Sequence, residues 1–228
     1  QMFRDGPAFD ALCYGEGEKA LARFVNAADK RLHLEEDPTW ITRKKVEERR
    51  RFTFDFITDL DEIPFLDYKI SDMRGYSLNP TMSAYPAIGK TLQNYHVMTS
   101  RGCVFHCAFC AQHTVHGRDM RYYSLDRVRQ DFTRLRDEYG VQTIIIEDDH
   151  FMGGKERPYE ILGIMIELGM TAFFPNSLAL FALTRPVLER LKKVGVDQLV
   201  LAVESGSKEV LNQIMHKPLK LDIIARVT

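Results

Sequence analysis

From residue 94 onward the apolar and polar positions of this chain alternate between two periods. Residues 95–99 read as a short strand. Ser124 caps a helix that carries Leu125, Val128, Phe132, Leu135 and Tyr139 on one stripe and is stopped by Gly140. Residues 141–146 form an unbroken apolar, β-branched run, the mark of a strand covered on both faces. A second helix is expected over 156–168, ended by Gly169, and a strand over 171–175. Thr184-Arg185-Pro186 opens a third helix running to Lys193, with proline in its first turn and Gly195 past its end. A fourth strand over 198–203, a fourth helix from Ser207 to about His216 and a further helix from Leu221 complete the pattern. Strands alternating with helices in this way predict parallel βα units, four of them here.

The first ninety residues are less regular. Residues 9–14 suggest a short buried strand, followed by Gly15-Glu16-Gly17-Glu18 and a helix with Ala20, Leu21, Phe24, Ala28 and Leu32 near one face. A lone strand and helix cannot bury both of their faces. Their partners are therefore expected in the next domain or upstream of Gln1. Residues 40–43 and 51–56 alternate and predict a hairpin, with the basic run 43–51 as its solvated end; a nucleic-acid patch is the other reading. Residues 67–92, rich in Tyr, Pro and Ser, are expected to be irregular.

Composition narrows the class. The chain has 228 residues, 45% hydrophobic and 28% charged, with a formal net charge of −1. This is ordinary globular composition with enough apolar residues for a core, and without the basic excess expected of a nucleic-acid or membrane-surface protein. The opening residues lack a signal-peptide pattern. The most apolar stretch, 161–183, is interrupted by Glu167, Gly169, Pro175 and Asn176, so a helix followed by a strand is expected rather than a membrane span. Three of the four cysteines cluster, which is not a secreted disulfide framework and fits a reducing, cytoplasmic setting.

Those three cysteines carry the chemistry. Cys103, Cys107 and Cys110 lie in Thr99-Ser100-Arg101-Gly102-Cys103-Val104-Phe105-His106-Cys107-Ala108-Phe109-Cys110, spaced C-x-x-x-C-x-x-C, with Cys13 far upstream. Three thiolates on one loop can hold three irons of a cubane cluster and leave the fourth iron open to a small molecule. Three cysteines with a nearby histidine (His106, His113 or His116) are also a Cys3His zinc set, and buried free thiols are a third reading.

The spacing, with Phe109 directly before the last cysteine, resembles the radical S-adenosylmethionine (SAM) enzymes. The resemblance implies a [4Fe-4S] cluster whose open iron is bound by SAM, an electron that breaks a carbon–sulfur bond to release a 5′-deoxyadenosyl radical, and a donor such as flavodoxin or ferredoxin. It implies an α/β fold, a partial TIM-type barrel of six βα units, of which four are expected here over 93–228. In such barrels ligands gather at the C-terminal ends of the strands. Those ends carry the cysteines, then Glu147-Asp148-Asp149-His150-Phe151, then Asn176 and Ser177, then Glu204-Ser205-Gly206-Ser207. By resemblance, Asp148 and Asp149 take the place that contacts the SAM amino group, Glu204 the ribose, Ser177 a further polar contact, and Phe109 the adenine through its backbone. The acidic pair departs from the family's common Gly-Gly-Glu and is similar to cobalamin-linked members.

The stretch around Gly15-Glu16-Gly17-Glu18 resembles the end of the Rossmann-like cobalamin-binding domain that precedes the barrel in one subfamily, and Asp59-Leu60-Asp61-Glu62-Ile63-Pro64 resembles its linker. This implies a division into a cobalamin-domain remnant over 1–36, a linker over 37–92 and a truncated barrel over 93–228. The subfamily's D-x-H-x-x-G cobalt-ligating motif is matched only at Asp148-Asp149-His150-Phe151-Met152-Gly153, after a later strand, where the match is coincidental. The resemblance thus points to methyl transfer to an unactivated carbon of a small molecule or peptide, or to ring formation or rearrangement. A cobalamin-independent member such as a methylthiotransferase is the alternative. It carries a second three-cysteine site, for which Cys13 is the one cysteine left.

Overall fold

The computed structural model describes residues 3, 6, 8–72 and 94–227, which divide into two compact units. The first is Gln1–Thr58 with Ala111–Gly117. In it, β1 (Ala11–Cys13) leads through Gly15, at φ 98°, into α1 (Gly17–Asn26). The expected single helix through Ala28 and Leu32 is two. The side chain of Asp29 accepts from the amides of Arg31 and Leu32 at 2.9 and 3.0 Å and so starts a new helix, α2 (Lys30–Glu36).

The hairpin expected between 40–43 and 51–56 does not form. β2 (Trp40–Thr42) pairs antiparallel with β1, in the register Ala11 with Thr42 and Cys13 with Trp40. The basic run after it folds into α3 (Arg43–Glu47), where Lys45 is buried and donates to the carbonyls of Asp37 and Trp40 at 2.7 and 3.0 Å. The aromatics of 51–56 stack instead of pairing in a ladder: Tyr14 on Phe54 at 4.1 Å and Phe54 on Phe56 at 5.1 Å between ring centroids. Buried Glu16 accepts from the amide of Ile57 at 2.8 Å. Asp37 accepts from Arg23 at 2.7 Å and from the amide and hydroxyl of Thr39 at 2.8 and 2.6 Å. Burial pushes the Asp37 carboxyl up, but these donors outweigh it and hold it at about 2.

The second unit is Asp59–Cys110 with Arg118–Thr228. Its principal sheet is parallel, formed by β3 (Asn94–Val97) and two strands met below. A two-residue ladder, β4 (Ser100–Arg101) with β5 (Arg121–Tyr122), pairs Ser100 with Tyr122. α4 (Leu125–Tyr139) starts at Ser124, whose hydroxyl accepts from the Arg127 amide at 3.0 Å, and ends at Gly140 with φ 66°. Its stripe buries Val128, Phe132 and Leu135, each contributing about 1.5–3 kcal/mol of apolar burial. β6 (Thr143–Ile146), fully buried, is the central strand; α5 (Arg157–Leu168), β7 (Thr171–Phe173), α6 (Arg185–Lys193) and α7 (Asp222–Val227) follow. β6 pairs in parallel with β3 and β7, setting His96 beside Ile145 and Ile145 beside Phe173. The apolar stretch 161–183 is helix then strand, and no helix among the described residues is long and apolar enough to cross a membrane.

The fourth strand expected over 198–203 joins no ladder among the described residues. The Val203 amide donates to the Leu201 carbonyl at 2.9 Å and that of Ser205 to Val203 at 2.8 Å. Such tight turns bend the chain out of the extended path a strand needs, and each occupies a backbone donor. Leu201 and Val203 still pack against a second core of Leu180, Leu211, Leu219 and Ile223. The helix expected from Ser207 forms, with π-type winding over Val210–Ile214, and the Ser207 hydroxyl accepts from the Val210 amide at 3.3 Å. Residues 73–93, the greater part of the expected linker over 67–92, lie outside the described residues.

Candidate functional site

The cysteine loop is fastened at its root, in its middle and opposite its tip. At the root, Asp148, 2% exposed, accepts from the amide and hydroxyl of Thr99 at 2.5 and 2.6 Å and from the Ser100 hydroxyl at 2.7 Å. Burial raises the Asp148 carboxyl while these hydrogen bonds work in the other direction. Arg157 donates to the Thr99 carbonyl at 2.9 Å. Gly102 then takes φ 92°, a conformation that side chains rarely adopt, and donates its amide to Asp149 at 2.9 Å. In the middle, Arg118 donates to the Phe105 carbonyl at 2.5 Å. Further on, the Ala108 amide donates to the Met215 carbonyl at 2.8 Å, tying the loop to the end of the π-wound helix, and the Cys110 amide closes a turn onto the Cys107 carbonyl at 3.1 Å.

These ties shape one open cleft. Cys103 and Cys107 line it together with Asp149 and His150 after β6, Ser177 after β7, and Lys217. Phe105, Leu180, Phe181 and Leu219 supply apolar wall. Phe105 meets His150 edge-on at 5.0 Å, and burial lowers the His150 imidazole toward its neutral form. Burial also pushes up the Cys103 and Cys107 thiols; Lys217 opposes this at Cys107, and the negative charge of Cys110 adds to it at both. Lys217 pairs with Glu204 at 2.5 Å. Glu204 and His216 both hold left-handed backbone, φ 60° and 51°, which side chains take at a cost.

Of the residues nominated from the sequence, Cys103, Cys107, Asp149 and Ser177 share the cleft. Asp148 does not: its oxygens are already engaged by Thr99 and Ser100, so it builds the loop's root instead of facing a ligand. Glu204 reaches the site through Lys217, outside the lining. Phe109 is 55% exposed and outside the cleft lining. Lys217 escaped sequence reading because a lysine after Met215-His216 carries no motif of its own.

The cluster that the resemblance implies can be tested against these donors. Among the described residues no three His, Cys, Asp or Glu side chains are gathered tightly enough for a single metal ion. One tetrahedral zinc would need its sulfurs about 3.8 Å apart. In a cubane each thiolate binds its own iron, so wider spacing is required. Three thiols on one loop, two of them opening into a common cleft, are a donor set that such a cluster takes.

Comparisons with known proteins bear on the family and the fold. Cytidylyl-2-hydroxyethylphosphonate methyltransferase of Streptomyces wedmorensis is 32% identical over 165 residues, covering 72% of this chain and 30% of that protein. An uncharacterized methyltransferase of Pyrococcus horikoshii is 28% identical over 208 residues, covering 91% of this chain and 43% of that protein. The solved structure of the cobalamin-dependent SAM radical enzyme OxsB, with aqua-cobalamin and SAM bound, has the same fold, with a TM-score of 0.67 at 19% identity over 98% of this chain and 31% of that one. This chain thus spans well under half the length of each. The family model for the radical SAM superfamily matches residues 97–227, more than half of the chain and all of the cleft described above. The chain therefore belongs to the radical SAM superfamily, whose members use a [4Fe-4S] cluster and S-adenosylmethionine.

Proposed function

We propose that this chain is the cluster- and SAM-binding part of a cobalamin-dependent radical SAM methyltransferase acting on a small molecule. The observation that carries this reading is the single cleft in which Cys103 and Cys107 face Asp149, Ser177 and Lys217. Cys103, Cys107 and Cys110 would hold the cluster. Asp149 would accept a hydrogen bond from the SAM ammonium, and Lys217 would meet its carboxylate. Ser177 offers a hydroxyl to the nucleoside, while Phe105, Leu180 and Phe181 keep water from it. The cluster, when bound, supplies the single electron that cleaves SAM. Asp148 acts before any chemistry, by fixing the backbone from which Cys103 projects.

The methyltransferase names of the two curated relatives and the cobalamin of OxsB support the subfamily. In this reading residues 1–36 end a Rossmann-like cobalamin-binding domain, 37–92 form the linker, and 93–228 are four units of a six-unit barrel. Flavodoxin or ferredoxin would deliver the electron in a reducing cytoplasm, where thiols stay free for iron. A methylthiotransferase would need a second three-cysteine site. Within this chain Cys13 alone is left, and its thiol lies 3.6 Å from the Glu16 carbonyl.

Anaerobic reconstitution with iron and sulfide tests the proposal. The protein should turn brown, and reduction with SAM should yield 5′-deoxyadenosine. A colourless protein carrying one zinc per chain would refute it. Corrin bound by the full-length protein would separate the cobalamin-dependent reading from a cobalamin-independent one.

A further inference from the structure

A relay of three polar side chains lies on the face of the parallel sheet opposite the main core. Tyr95 and Val97 are buried in the main core with Val128 and Phe132 of α4, so His96 between them points to the opposite face. There its side chain is 52% exposed. The register sets it in a row with Ile145 and Phe173, of which it is the polar member. Glu147, just past the end of β6, brings Oε1 to 2.6 Å from His96 Nδ1. Asn176, beyond β7, donates Nδ2 to the Glu147 carbonyl at 3.2 Å and lies 3.5 Å from Oε2 of the same residue.

The chemistry of this relay is directional. A carboxylate can only accept, so Nδ1 of His96 carries the proton. The other ring nitrogen, Nε2, is engaged by no described residue and is left to pair with a ligand. Asn176 restrains the carboxylate, and the carboxylate restrains the ring. The device stands at the C-terminal ends of parallel strands, where ligands of such sheets gather.

We propose that His96 is a substrate-binding residue whose Nε2 forms a hydrogen bond with a hydroxyl of a small-molecule substrate, a group able to donate or accept, with Glu147 and Asn176 as the residues that position it. The inference rests on the radical SAM reading above and deepens it by naming the substrate class: a hydroxylated small molecule, in place of a bare hydrocarbon. A site built to pair such a group discriminates strongly against the analogue that lacks it.

The test uses full-length, reconstituted protein, with a small-molecule extract of the source organism as the probe. Its readout is the extract-dependent stimulation of 5′-deoxyadenosine formation. At wild-type iron content, His96→Leu should raise the extract concentration needed for half-maximal stimulation at least tenfold. His96→Gln, which keeps a group able to donate or accept, should recover part of that loss, and Glu147→Gln should shift it by a smaller factor. Independently, diethyl pyrocarbonate should modify His96 in protein without a cluster, and the extract should slow that modification at least threefold. An unchanged half-maximal concentration in His96→Leu, loss of iron in that variant, or absence of protection would each overturn the inference. A wild-type protein that cleaves no SAM at all would instead overturn the reading on which it rests.

Discussion

The Asp148 carboxylate takes both the amide and the hydroxyl of Thr99, at 2.5 and 2.6 Å, and so ties the end of the central strand to the root of the cysteine loop. Strand and loop are separated by almost fifty residues of sequence, yet this one buried side chain joins them. Its neighbour Asp149 faces the cleft. Two adjacent, chemically identical residues thus have separable roles.

Replacing them should separate those roles in measurement. Asp148→Asn turns an acceptor into a donor opposite the Thr99 amide, and leaving buried groups unpaired costs about 1–3 kcal/mol each. Its thermal midpoint should fall by several degrees and its iron uptake should drop. Asp149→Asn should keep the midpoint and the iron but weaken SAM binding, as read by equilibrium dialysis. Equal effects of both substitutions on the midpoint would contradict this division.

The cysteines make a second contrast. Cys103→Ala, Cys107→Ala and Cys110→Ala should each leave reconstituted protein with little iron and little visible absorption. Cys13→Ala should reconstitute like the wild type. Iron analysis beside absorption spectra decides it, and a Cys13 variant that lost its colour would show that the ligand set had been misassigned.

Lys217 should matter through charge. It lines the cleft beside Cys107 and pairs with Glu204 at 2.5 Å. Lys217→Met should weaken SAM binding by about tenfold, the size of a charge-assisted hydrogen bond in a partly desolvated site. Lys217→Arg should retain more affinity than Lys217→Met. Dialysis with labelled SAM gives the ratio directly.

The first compact unit has its own pH signature. The Asp37 carboxyl is held at about 2, below its ordinary value of 3.8. A depressed carboxyl contributes stability that is present above its unfolded value and lost as pH falls through the folded one. Stability should therefore decline between about pH 4 and pH 2, and Asp37→Asn should flatten that decline. The substitution also removes the ion pair with Arg23, at a cost of about 1–2 kcal/mol after allowance for its partly exposed partner. Thermal melts of both proteins across that range provide the measurement.

Short-range signals in this chain were legible without coordinates. Ser124, Gly140 and Gly169 mark helix ends by their own chemistry, and the β-branched run at 143–146 is a strand because such residues suit a sheet covered on both sides. The three-cysteine spacing is equally local, and it named the superfamily. What sequence could not supply were pairings between distant segments. The Trp40–Thr42 strand could close a hairpin or join Ala11–Cys13, and the aromatic stack on Tyr14 favours the second. Residues 199–203 are an apolar run like that of a strand, yet they join no ladder among the described residues, and the Val203 amide closes a tight turn instead. Asp148 and Asp149 look alike in one dimension; burial gave one to the scaffold and the other to the cleft. Periodicity and caps are written within a few residues, so the sequence determined the elements and the class of chemistry. Which side chain meets which depends on how those elements close upon one another, and that only the tertiary structure decided.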